Sequence, residues 1–165
     1  MTSKDEGMTV TISVSDTNDL AELTVTGPSD VYFSVAFDSC KMKNAWALVL
    51  PGTGEDDDSL VEYKLGDDKA GNELTTSFET TSDTTDDGVR TVVLSRSLSG
   101  QDDLSSDYYA FSTDGDDLDV MWAYGNKGKY SQHDESKAGC TSVSFTVTEE
   151  TSNKVQAVPF SWGQC

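Results

Sequence analysis

The chain has 165 residues, of which 30 are Asp or Glu and 11 are Lys or Arg, giving a formal net charge of −19. That field repels phosphate backbones and anionic lipid surfaces, which excludes nucleic-acid and membrane-surface roles. The length suits one domain spanning 1–165. No stretch reaches the roughly 18 apolar residues that cross a bilayer, and Met1-Thr2-Ser3-Lys4-Asp5-Glu6 lacks the apolar segment of a signal peptide.

Apolar and polar side chains alternate almost from the start. Thr9 to Val14 and Ala21 to Thr26 predict half-buried strands, the second stopped by Gly27-Pro28-Ser29-Asp30. Val31 to Phe37 follows, and then Ala45 to Leu50, which is apolar on both faces and predicts a strand central to its sheet. Further strands are predicted at Leu60 to Leu65, Leu74 to Thr80, Val89 to Ser95, Tyr108 to Ser112, Val120 to Tyr124 and Thr141 to Thr148. Helical periodicity is missing, and turn signals recur about every ten residues, so the predicted class is all-β: an immunoglobulin-like antiparallel sandwich of about ten strands. The polar segment from Glu149 onward predicts a tail or a hairpin over 149–165.

Cys40, Cys140 and Cys165 lack the close spacing of a zinc or iron–sulfur site. Either Cys140 and Cys165 pair across the last strand, leaving Cys40 as a free thiol, or all three are free. Asp83-Thr84-Thr85-Asp86-Asp87-Gly88 and Asp114-Gly115-Asp116-Asp117-Leu118-Asp119 offer oxygen ligands without the glutamate-terminated spacing of an EF-hand, so weak Ca²⁺ binding is the most they predict. Hydrolysis is set aside because no Gly-x-Ser-x-Gly elbow accompanies the single histidine, His133. Aromatic residues such as Trp46, Tyr108, Trp122 and Tyr130 offer a surface for sugar stacking, although on strands such residues are ordinarily core. Met42, in the connection between two apolar strands, is a soft thioether donor.

The order of motifs resembles the DOMON family, β-sandwich domains that include the b-type cytochrome domain of cellobiose dehydrogenase. The resemblance runs through Val35-Ala36-Phe37 with the following Met42, through Leu60 to Leu65, and through Thr91 to Leu98. Its most specific piece is Val120-Met121-Trp122-Ala123-Tyr124-Gly125, followed eight residues later by His133. The resemblance implies noncovalent haem b held between Met42 and His133, and one-electron transfer rather than catalysis by this domain alone. On the same footing Phe37, Trp46 and Tyr124 are expected to wall the ring, and Arg96 to pair with a propionate or a buried acid. The family setting implies an extracellular or secretory-lumen location and a redox partner protein. Haem-free members imply the alternative, a module that binds carbohydrate or a protein surface; a third reading is an adhesive domain whose acidic loops collect divalent cations.

Overall fold

Alternation becomes structure most directly in the first two strands. In the computed structural model, which describes residues 7–67, 69–99, 104–112, 117–144 and 153–160, β1 (Met8–Ser15) and β2 (Leu20–Pro28) bury every second side chain. Val10, Ile12, Ala21, Leu23 and Val25 point inward, while the threonines between them face outward. The remaining strands are β3 (Phe33–Phe37), β4 (Trp46–Leu50), β5 (Val61–Gly66), β6 (Lys69–Leu74), β7 (Glu79–Asp86), β8 (Val89–Ser97), β9 (Asp117–Tyr124), β10 (Ala138–Ser144) and β11 (Asn153–Phe160). They form a five-stranded sheet in the order β11-β1-β2-β8-β7 and a six-stranded sheet in the order β10-β9-β3-β4-β5-β6, with antiparallel pairing throughout. The protein is therefore all-β, as its periodicity predicts.

The core fills the space between the sheets. Ile12, Leu23, Val92 and Leu94 of one sheet meet Val35, Phe37, Trp46, Leu48 and Val120 of the other. All five residues of β4 are buried, as expected for a strand apolar on both faces and flanked on each side.

Three expectations change. The segment 108–112 is irregular rather than a strand: Phe111 is buried and packs edge-on against Phe37, Trp46 and Tyr109, so the segment serves as a plug. Leu74 to Thr80 is divided between β6 and β7, because Ser77 and Phe78 turn inward between them. The 153–160 part of the predicted tail is strand β11, paired with β1. The β7–β8 hairpin closes through Asp87 and Gly88, both at positive φ (48° and 82°), the two-residue turn whose twist suits antiparallel strands.

Candidate functional site

Strand phase decides which residues share a face. Across the six-stranded sheet, one outward row of paired positions reads Cys140, Met121, Ala36, Ala47 and Tyr63. The adjacent row reads Ala138, Ala123, Ser34, Val49 and Val61. The middle of this face is thus a floor of small side chains, with Met121 and Tyr63 toward its sides.

Met42 lies on this face. Its side chain packs with Tyr63 and Met121 onto Ala36, Ala45, Ala47 and Leu65. The loop that carries it leaves β3 at Asp38 and rejoins β4 after Asn44, both in the left-handed region (φ 66° and 59°), which Asp and Asn tolerate better than most residues. Asp38 N–H donates to Asp119 O (2.9 Å) and Asn44 N–H to Leu65 O (3.0 Å), so both ends are tied to neighbouring strands. Between them Cys40 is disulfide-bonded to Cys140 of β10. This corrects the expected pairing of Cys140 with Cys165: Cys140 faces outward on β10, beside the loop carrying Cys40, and Cys165 lies outside the described residues.

The segment after β9 folds back over the same face. Gly125 N–H donates to Tyr32 O and Tyr32 N–H to Lys127 O, both at 2.9 Å, and Tyr32 Oη donates to Ser131 O at 2.6 Å. Glycine is required at 125 because a Cβ there would stand 2.1 Å from the Tyr32 ring. Tyr130 then rests against Tyr32 (5.2 Å between ring centroids) and Tyr63 (5.1 Å), which brings the segment to the cluster that holds Met42. His133 follows three residues later. Its Nδ1 is 3.2 Å from Asp134 O. A carbonyl oxygen only accepts, so in this contact Nδ1–H is the donor, and Nε2 is the ring nitrogen that would face a metal. The turn beyond is braced by Asn126 Nδ2 donating to Asp134 Oδ2 (3.0 Å) and Lys137 Nζ donating to Asn126 Oδ1 (2.6 Å).

The structure separates the expected ring walls from this face. Phe37 and Trp46 alternate with Ala36 and Ala47, so they point into the sandwich, with ring centroids 5.4 Å apart. Tyr124, paired with Phe33, is likewise inward and buried. Arg96 projects inward from β8, its guanidinium 4.7 Å above the Phe78 ring and 5.4 Å from that of Trp46. It donates to Ser77 Oγ (2.9 Å), which donates in turn to Glu62 Oε2 (2.9 Å). Of its two expected partners, Arg96 has the buried acid, reached through one hydroxyl; burial pulls its pKa down to about 10 against the opposing pull of Glu62. Sequence reasoning missed Ala36, Ala47, Tyr63 and Met121 as site residues and named Tyr130 only among aromatics for sugar stacking, although the phase of Val35-Ala36-Phe37 already sets Ala36 opposite its neighbours.

In the first of the two acidic segments, two of the aspartates have other roles. Asp83 grips Arg90 through both oxygens (2.9 and 2.5 Å), and Asp87 forms the hairpin turn. Residues 113–116 lie outside the described set; among the described residues no three His, Cys, Asp or Glu side chains gather to hold a metal.

A groove of about 290 Å³ adjoins the Met42 face, floored by Val49, Pro51 and Val61, walled by Tyr63 and Tyr130, and edged by Glu55, Asp56, Asp57 and Lys129. Burial raises the phenol pKa values of Tyr32, Tyr63 and Tyr130, with neighbouring phenols or Glu73 adding to the effect. The folded chain keeps these protons above about pH 10, where unfolded tyrosines release theirs. Above that pH the native state therefore binds more protons than the unfolded state, and stability falls as pH rises. Urea midpoints are expected to hold up to about pH 9.5 and drop steadily beyond it, in parallel with phenolate absorbance near 295 nm. Phenolate forming fully while the midpoint stays unchanged would contradict this burial. Comparison with models of known protein families, with curated proteins and with solved structures finds no match to this chain.

Proposed function

We propose that this chain is a noncovalent haem b domain that passes single electrons, with Met42 and His133 as axial ligands, working in an extracellular or secretory-lumen setting alongside a redox partner protein. The observation that supports the reading is that Met42 packs over a floor of small side chains on one face of the six-stranded sheet, and that Tyr130, three residues before His133, rests on Tyr63 of the same cluster. That donor set suits low-spin iron, and the two ligands together leave no open position for oxygen chemistry. Bound haem supplies the one-electron couple. The chain's own contribution is positional: the Cys40–Cys140 bond and the two left-handed residues hold the Met42 loop, while Asp134 O fixes the His133 ring. On this reading the half-buried Ser34 and Met121 would border the ring in place of Phe37, Trp46 and Tyr124, while Ala36 and Ala47 lie beneath the Met42 side chain. The disulfide fits an oxidising compartment.

A floor variant tests the reassigned face. Ser34 is half-buried on the floor, and Ser34→Phe raises a ring from it. Haem uptake is expected to fall at least tenfold in a titration followed by absorbance, with the urea midpoint little changed. Undiminished uptake would contradict the assignment of haem to this face.

A further inference from the structure

We propose that the groove beside Tyr63 and Tyr130 is the docking point for a basic protein partner, which seats one lysine or arginine side chain in it. The groove's parts match those of such a side chain in order. Val49, Pro51 and Val61 form an apolar floor for a methylene stem, the two tyrosine rings stand beside it, and Glu55, Asp56 and Asp57 wait at the edge for the cationic head. A volume of about 290 Å³ holds one long side chain rather than a folded segment. The chain already places a cation at this edge: Lys129 Nζ lies 4.0 Å from Glu55 Oε2 while most of its side chain remains in solvent. Such an exposed pair is weak and readily displaced. Glycine at 128 permits the approach, since a Cβ there would stand 2.3 Å from Glu55 Oε1. Hydrogen bonds from Ser59 hold the Asp57 carboxyl below its ordinary range, which keeps that member of the edge anionic.

Charge complementarity selects the partner. A net charge of −19 on 165 residues steers basic proteins toward this chain and repels acidic ones. A neutral sugar would gain the rings and could donate hydroxyl hydrogen bonds to the carboxylates, but it would gain nothing from the chain's field. The consequence for electron transfer rests on the haem reading, because Tyr63 belongs to the cluster that packs Met42 and a partner seated here stands next to it. Docking itself does not rest on that reading.

The test is calorimetric titration of the full chain with an N-acetylated, C-amidated octalysine peptide. Joint substitution Glu55→Gln, Asp56→Asn and Asp57→Asn is expected to weaken binding at least tenfold. Glu79→Gln, Asp86→Asn and Asp87→Asn remove the same charge from the β7–β8 hairpin and are expected to weaken it less than twofold. Lys129→Ala is expected to tighten binding about threefold, beyond the effect of Lys69→Ala on β6; a misfolded variant does not mimic that gain. Equal losses from both triple variants, or no gain from Lys129→Ala beyond that of Lys69→Ala, would reduce the effect to the general field and overturn the proposal. Displacement of the peptide by neutral cellohexaose would assign the groove to carbohydrate and overturn it as well. The titration runs whether or not the chain takes up haem, so a missing haem spectrum counts against Met42 and His133 and leaves the groove result standing.

Discussion

Glu62→Ala is expected to lower folding stability by about 3–5 kcal/mol, the range found when one member of a buried charge pair is removed. Glu62 is fully buried on β5, directly across from Leu48, in a position that alternation would otherwise give to an apolar residue. Its carboxylate accepts from Trp46 Nε1 (3.1 Å), Ser77 N–H (2.6 Å), Phe78 N–H (3.0 Å) and Ser77 Oγ. Truncation leaves those donors without their acceptor and strips the nearby Arg96 guanidinium of its counter-charge in a wall of aromatic rings. The network also joins the two sheets, since Arg96 comes from β8 and Glu62 from β5. Glu62→Gln keeps one accepting oxygen and is expected to cost clearly less. Urea unfolding reads both; a Glu62→Ala loss below about 1 kcal/mol would show that the network is dispensable.

Cys140→Ser carries the second large effect. The bond between Cys40 and Cys140 closes a loop of 100 residues, and in the chain-entropy account a loop of that size is worth about 4–5 kcal/mol. The variant also frees the middle of the Met42 loop, leaving only the strand contacts at Asp38 and Asn44 to hold it. Stability and haem affinity are thus expected to fall together. Non-reducing peptide mapping should recover Cys40 linked to Cys140, and a recovered Cys140–Cys165 peptide would overturn the assignment.

Much of this architecture is legible in the sequence, and the reasons for the exceptions are physical. β1, β2 and β8 each bury one face, so their side chains alternate and the strands can be read directly. β6 and β7 are sheet edges whose residues are almost all exposed, so no apolar phase marks them; the Asp87-Gly88 pair was the available signal for the second. Tyr108, Tyr109 and Phe111 look like a strand by composition, yet they close one end of the core as an irregular plug. Three cysteines allow three pairings, and spacing alone does not choose among them.

At the site, proximity in sequence misleads where strand phase does not. Phe37 and Trp46 are near Met42 along the chain but on the other side of the sheet, whereas Ala36 and Ala47, one residue away from them, lie beneath it. Tyr63 and Tyr130 are brought together only by the fold-back after Gly125. Met42 and His133 were singled out through resemblance, since a lone methionine and a lone histidine carry no spacing signal of their own.

The most direct test of the central claim is the absorbance spectrum of the full chain reconstituted with haem and then reduced. Met42 and His133 as axial ligands predict a sharp Soret band with split α and β bands, the signature of six-coordinate low-spin iron, lost in both Met42→Ala and His133→Ala. Failure to take up haem, or an unchanged spectrum in either variant, would contradict it.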